Sequence, residues 1–453
     1  MKDLFKATKN PASNSIVWSR FVHLTKEKLV VRLAHGTFWN IIGTGVSRAM
    51  GLVASIVVAR LMGHTSYGEL GVIQSTVGMF GVVAGFGLGV TATKFVAELR
   101  HTDPDQVGRI IGLSNITAWV VGAFTTICLI ILAPYLAAHA LAAPHLGHLL
   151  VISSVIILFS SVTGSQNGAL AGFEAFKSLA RINIVVGFAN ISFQVFGAYY
   201  WGVAGALVGM MGAQLINCVL NTWSLNEICV RNNISKKLSG NIVEWRVLLR
   251  FSLPCVLSGL FVAPVHWVCA AMLVNRTDGY SEMALFNAAN QWLAIMLFLP
   301  NVLSQALLPV LSDAFARNDD SSSSMIMQFS MLVNCIISIP TLIIGCVLSS
   351  HLMNLYGDEF KQGGLTLCIT LLTGGIVAVQ GPVGQVLAAS GKMWLGVMMN
   401  MVWGAVFLLI SFSLIKEGAL GLALARLFAY IFHAIWAFRS ARKIINGRSA
   451  TPG

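Results

Sequence analysis

The sequence predicts an all-α polytopic membrane protein, with about 12 transmembrane helices in two pseudo-repeated six-helix lobes around a central cavity. Three observations carry that prediction: composition, the spacing of the apolar stretches, and an internal repeat. The chain has 453 residues, of which 56% are hydrophobic and only 10% charged, with a mean hydropathy of +0.77. A soluble domain carries about 25% charged residues, so this composition requires a lipid solvent.

Taken in order, residues 1–34 are polar and basic, with Lys2, Lys6, Lys9, Arg20, Lys26, Lys28 and Arg32, and lack a signal-peptide pattern. They read as a cytoplasmic tail with a short surface helix near Ile16–Leu24. Apolar spans follow at 36–62, 69–96, 110–133, 148–169, 179–201 and 203–223, which make the first lobe, 35–223. A basic linker occupies 224–246. The second lobe, 247–438, holds spans at 247–274, 284–311, 325–349, 365–389, 393–415 and 418–438, and a tail closes the chain at 439–453. Each span reaches the roughly 20 residues that a helix needs to cross a bilayer.

Charge placement orients these spans. With both termini cytoplasmic, 23 of the 29 Lys and Arg fall on the inner side and 4 on the outer, while Arg48 and Arg426 lie within spans. The positive-inside rule accounts for this bias and for the net charge of +12. Nucleic acid is therefore excluded as the partner. The expected location is a membrane crossed many times, with both termini cytoplasmic.

The halves repeat. Tyr67-Gly-Glu-Leu recurs as Tyr280-Ser-Glu-Met, Asn183-Ile-Val-Val-Gly as Asn400-Met-Val-Trp-Gly, and Gly202-Val-Ala-Gly as Gly418-Ala-Leu-Gly, at offsets of 213, 217 and 216. Parallel repeats of this kind are a transporter pattern. The outer loops are too short for an extramembrane catalytic domain, and no Walker, GxSxG or HExxH motif is present. Neither an enzyme nor a cofactor is expected. The 8 cysteines lie in or beside apolar spans without CxxC spacing, so no metal site is expected either.

The first span, GTFWNIIGTGVSRAMGLVASIVVARLM, carries Arg48 near the membrane midplane. An arginine there costs about 2.5–3.5 kcal/mol on insertion scales, so it needs a polar cavity or a partner. Asn40, Thr44, Ser47, Arg48, Gly51 and Ser55 share one face of that helix. In the eighth span Asn287, Asn290, Gln291, Asn301 and Gln305 fall on one stripe, with Pro300 bending the helix. Asn183, Asn190 and Gln194 form a stripe in the fifth span, and Gln214, Asn217 and Asn221 one in the sixth. Such carboxamides either line a lumen or bond helix to helix. All 17 carboxylates fall in tails, loops or span ends. A buried arginine without a nearby acid points to an anionic ligand. Lys94 either adds to that field or snorkels to the interface, and Arg426 has the same two readings. His266, beside Pro264, is a candidate proton site or a packing histidine.

Several stretches then resemble a known family. VARLMGHTSYGELGV (Val58–Val72), GFGLGVTATKFVAEL (Gly85–Leu99), LAGFEAFKSLARINIV (Leu170–Val185), GYSEMALFNAANQW (Gly279–Trp292), LYGDEF (Leu355–Phe360) and LAASGK (Leu387–Lys392) carry the likeness. They resemble the polysaccharide-exporter branch of the multidrug/oligosaccharidyl-lipid/polysaccharide exporter superfamily, the bacterial O-antigen flippases of the Wzx type. The resemblance implies movement of undecaprenyl-pyrophosphate-linked oligosaccharide from inner to outer leaflet, within membrane lipid and alongside a polysaccharide polymerase or assembly complex. On that reading Arg48 and Lys94 hold the pyrophosphate. Asn40, Thr44, Asn290, Gln291, Asn301 and Gln305 contact the remainder of the substrate. The competing expectations are a small-molecule antiporter of the multidrug branch, disfavoured by the lack of a mid-membrane carboxylate, and a scaffold of an assembly complex.

Overall fold

The computed structural model describes residues 28–85, 87–100, 102–235, 261–316 and 320–446. Most of the expected N-terminal tail with its surface helix, residues 236–246 of the linker, the start of the seventh span and the last seven residues lie outside them, as does the Gln305 side chain. The described residues are almost wholly helical. In order they form α1 (Lys28–Met62), α2 (His64–Gly85), α3 (Leu88–Leu99), α4 (Pro104–Tyr135), α5 (Gly147–Gly172) and α6 (Phe176–Arg231). After the undescribed stretch come α7 (Ala263–Val274), α8 (Gly279–Met296), α9 (Phe298–Ala316), α10 (Asp320–Val347) and the short α11 (Ser349–Asn354). The chain ends with α12 (Gly364–Ala389), α13 (Met393–Leu414) and α14 (Gly418–Asn446). Among the described residues 8 helical stretches are long and apolar enough to cross a membrane, or 9 if α8 and α9 are one bent span. This is a polytopic all-α membrane protein.

That number understates the passes, because two stretches reverse direction. In α6 the reversal falls at Trp201 and Gly202. The arms run back against each other so closely that a Cβ on Gly197 would lie 2.1 Å from the Gly205 carbonyl oxygen, and one on Gly209 2.4 Å from that of Phe193. The same reversal joins α13 to α14 at Gly418. Gly202 has φ 57°, ψ −135° and Gly418 has φ 63°, ψ −137°, a conformation open essentially to glycine alone. Two residues 216 positions apart thus make the same turn, which is what the internal repeat requires.

Small residues set the packing inside the N-terminal half. Gly43 of α1 faces Ala180 of α6, where an added Cβ would sit 2.4 Å from the Ala180 Cα. Gly168 of α5 faces Gly89 of α3, and Thr93 Oγ1 donates to the Gly168 carbonyl at 2.9 Å. Without a hydrophobic drive between helices in lipid, close backbone approach and such hydrogen bonds supply the association. Ser161 Oγ lies 2.7 and 3.0 Å from the carbonyl oxygens of Ala84 and Ala118, joining α2, α4 and α5. Helix starts follow ordinary rules. Asp103 caps α4 by accepting from the Gln106 N–H at 2.9 Å, and Pro104 occupies its first turn. Large apolar side chains such as Phe124, Ile131 and Phe196 are exposed on the outer surface, as lipid contact demands.

The two halves meet at one end of the bundle. There a Cβ on Gly68 would lie 1.8 Å from the Tyr280 carbonyl oxygen. Tyr280 donates to the Leu141 carbonyl at 2.8 Å, and Arg60 Nε to that of Leu355 at 2.5 Å. The rings of His64, Tyr67, Tyr356 and Phe360 pack edge-to-face and tilted across the seam, with centroids 4.5 to 5.9 Å apart. Deeper in the bundle, Trp267 Nε1 donates to Thr76 Oγ1 at 2.9 Å, and Arg48 makes the next bond between the halves.

Candidate functional site: a polar cavity beside Arg48

Arg48 lies halfway along α1 and is half-buried. Its Nη1 donates to the Ala294 carbonyl oxygen at 2.9 Å, and its guanidinium lies 5.7 Å from the centre of the Phe298 ring. The partner is local chemistry made visible. The α8 and α9 helices meet at 45° around Leu297. Pro300 falls in the first turn of α9, where a missing N–H breaks no helical bond. The break interrupts the helical hydrogen-bond ladder at the last carbonyls of α8, at the negative end of its dipole. A cation from the opposite half fills one of them.

One turn further along α1, Gly51 and then Ser55 line a cavity of about 610 Å³. Gln74 of α2, Ser160 of α5, Asn190, Gln194 and Met210 of α6, and Gln291 of α8 complete its polar wall, with aliphatic residues between them. Among the described residues that line it none is charged. At the end nearest the seam Tyr67 and Ser55 share a hydrogen bond of 2.5 Å. Gln194 Nε2 donates to Asn190 Oδ1 at 2.6 Å, so this pair sits one helical turn apart as a unit. Gln74 Nε2 faces the Met210 sulfur at 3.4 Å, a weak acceptor.

The residues expected to bind substrate are distributed as follows. Asn40 and Thr44 hydrogen-bond each other at 3.0 Å, further along the face that carries Arg48. Lys94 is exposed on α3, with Nζ 5.1 Å from the centre of the Phe95 ring. The α8 stripe is divided. Gln291 lines the cavity, Asn287 packs against Gly71, and Asn290 accepts from Arg426 Nη1 at 2.7 Å. Beyond the break, Asn301 lines a second cavity of about 320 Å³ with Gln380, Asn400 and His433. His266 sits between the rings of Trp403 and Phe407, at 5.3 and 5.5 Å.

Arg426 is 4% exposed. Besides Asn290 it contacts Thr370 Oγ1 at 3.2 Å and lies 4.9 Å from the centre of the Phe286 ring. Gln74, Ser160 and Met210 were not distinguishable in the sequence as cavity residues. Gln74 stands beside Ser75 and Thr76, Ser160 beside Ser161 and Met210 beside Met211, and none belongs to the helically spaced carboxamide stripes.

With the geometry in place, comparisons with known proteins are informative. Residues 33–315, more than half of the chain, match the family described as polysaccharide biosynthesis protein. The EPS I polysaccharide export inner membrane protein EpsE of Ralstonia nicotianae is 27% identical over 190 residues, covering 40% of this chain and 43% of that protein. The chain thus aligns with less than half the length of that relative. The lipopolysaccharide biosynthesis protein WzxC of Escherichia coli K12 is 23% identical over 432 residues, 91% of this chain and 82% of the relative. Among solved structures, the inward-facing conformation of a multidrug resistance MATE family transporter of the MOP superfamily superposes with a TM-score of 0.73 at 16% identity, covering 94% of this chain and all of the other. That likeness is one of fold. The chain belongs to the polysaccharide biosynthesis protein family, and it has the fold of the MOP-superfamily transporters.

Proposed function

We propose that this protein is a flippase, not an enzyme, and that it carries lipid-linked oligosaccharide from the inner to the outer leaflet of a bacterial inner membrane by alternating access. The observation that carries the reading is the half-buried Arg48, one helical turn from Gly51 of a carboxamide-lined cavity whose described lining is uncharged. A guanidinium held by one backbone carbonyl keeps donors for a diphosphate, and carboxamides offer both donors and acceptors to sugar hydroxyls. The names of EpsE and WzxC fit this task. Among the described residues of the wall there is no carboxylate, the group that a cationic drug would need, which favours a flippase over a multidrug antiporter.

The seam that joins the halves at Tyr67 and Tyr280 is then the outer end, in keeping with the excess of Lys and Arg expected on the other side. In this state the substrate enters from the inner leaflet with its glycan toward Tyr67 and its diphosphate at Arg48, while the lipid tail stays in the bilayer. Outward movement of each negative charge gains about 2.3 kcal/mol per 100 mV, negative inside, which assists the loaded, outward step. The test is to delete the gene and follow lipid-linked repeat units and surface polysaccharide together. Repeat units should accumulate in the inner leaflet while surface polysaccharide disappears. Normal surface polysaccharide with a new drug sensitivity would instead establish the antiporter.

A further inference from the structure

We propose that Cys346 and Cys368 form a disulfide that staples the base of the segment with which the C-terminal half closes the seam. This rests on the reading of the seam as the outer end of the protein and adds a covalent modification to it. Cys346 stands one residue from the end of α10, and Cys368 one turn into α12. The two helices run antiparallel and meet closely there. An added Cβ on Gly345 would lie 2.5 Å from Leu371 Cδ1, and one on Gly364 2.9 Å from Ser350 Oγ. Between these two contacts the thiols face each other. The Cys368 sulfur lies 3.6 Å from the Cys346 carbonyl oxygen, and the Cys346 sulfur 3.9 Å from that of Cys368. Each side chain thus already crosses the gap between the helices, and the thiols lie beside each other. Rotation about χ1 turns sulfur toward sulfur, and the glycines let the two backbones approach as a disulfide requires.

What lies between the two cysteines gives the bond its meaning. Residues 347–367 hold α11, Asn354, Leu355, Tyr356 and Phe360. These are the groups that meet Arg60, His64 and Tyr67 across the seam. A bond at the base closes this segment into a loop and removes open conformations from it. Disulfides form and persist outside the bacterial inner membrane, whereas cytoplasmic thiols are kept reduced. The oxidant is a disulfide-bearing protein of that outer compartment. One thiolate of the pair attacks the oxidant's disulfide, and the other then displaces the oxidant from the mixed disulfide. Two electrons and two protons pass from the pair to the oxidant, whose disulfide becomes two thiols.

The experiment is differential alkylation of the unaltered, full chain in cells quenched with acid. Free thiols are blocked in denaturant, disulfides are then reduced, and the newly freed thiols take an isotopically heavy form of the same reagent. Cys346 and Cys368 should carry the heavy label in most molecules, while Cys218 and Cys269, buried in the bundle, carry the light one. Cys346→Ser should return Cys368 to the light label, which identifies its partner. Light label on both in cells, turning heavy once the purified chain is treated with oxidised glutathione, would overturn the disulfide in the cell and the outer-end reading with it. Light label under both conditions would overturn the pairing itself and leave the flippase reading standing.

Discussion

The two halves of this protein share a repeat but have filled it differently. Shifted by the offsets of 213 to 217 residues, Gln74 corresponds to Asn287, Asn190 to Phe407, Gln194 to Ser411 and Met210 to Arg426. In the N-terminal half these positions surround a cavity. In the C-terminal half the same region is packed. Phe407 and Trp403 close on His266, Trp403 lies 5.1 Å from Tyr430, and Arg426 is held by Asn290, Thr370 and the face of Phe286. The two membrane arginines differ accordingly. Arg426 is enclosed by side chains that fix it, whereas Arg48 borrows a single carbonyl at a helix break and stays half-exposed. On the proposed reading Arg426, enclosed by neutral partners, serves the scaffold, and Arg48, with one carbonyl partner, keeps donors for a ligand.

The largest effect expected from this contrast is on folding. Arg426→Ala leaves Asn290 and Thr370 unpaired around a void in a packed region, a loss of about 3–5 kcal/mol. Membrane abundance and thermal stability should both collapse. A stable Arg426→Ala protein that had lost only transport would erase the distinction between the arginines. Next comes the seam. A side chain at Gly68 meets the Tyr280 carbonyl at 1.8 Å, so Gly68→Val should hold that end open. In a background without native cysteines, Ser55→Cys should then label several-fold faster with an impermeant thiol reagent added from outside. Unchanged labelling would argue that the seam is not the gate.

Substitutions in the cavity should separate function from stability. Single hydrogen bonds between membrane helices average about 0.6 kcal/mol, so Asn190→Ala and Gln194→Ala should keep near-normal abundance while reducing export several-fold. Parallel loss of both would mean that the pair is packing and would weaken the glycan reading. The smallest effect belongs to Arg60. It is exposed and caps carbonyls at the end of α11, so Arg60→Ala should cost about 0.5–1.5 kcal/mol of seam stability, read as slightly faster Ser55→Cys labelling.

The sequence made some of this legible and hid the rest for physical reasons. The all-α, membrane-spanning character followed from hydropathy, and the bend near Pro300 from proline chemistry. The paired turns at Gly202 and Gly418 were visible as a repeat before their shared backbone conformation was seen. The break between α2 and α3, where Gly87 adopts φ 60°, was not anticipated inside the span read at 69–96. A carboxamide stripe gives a direction about its own helix axis but does not name the neighbour. Asn290 and Gln291 are adjacent in sequence, yet one meets Arg426 and the other lines the cavity. Asn301 shares their stripe by helical spacing with a bend expected at Pro300, and the 45° break at Leu297 leaves it at a different cavity. Gln74 and Met210 become a pair only when α2 packs against α6, which no local pattern encodes.

The central claim is that Arg48 is held ready for an anionic lipid headgroup and is not a structural tie between the halves. A unit charge pair at about 4 Å is worth about 4 kcal/mol at an effective dielectric near 20, before desolvation, whereas its present bond is to a neutral carbonyl. The decisive measurement follows membrane abundance, surface polysaccharide and inner-leaflet lipid-linked repeat units together in Arg48→Ala and Arg48→Lys. Arg48→Ala should insert normally, lose export and accumulate repeat units, while Arg48→Lys keeps the charge without the bidentate geometry and retains part of the activity. Full export by Arg48→Ala at normal abundance would contradict the account.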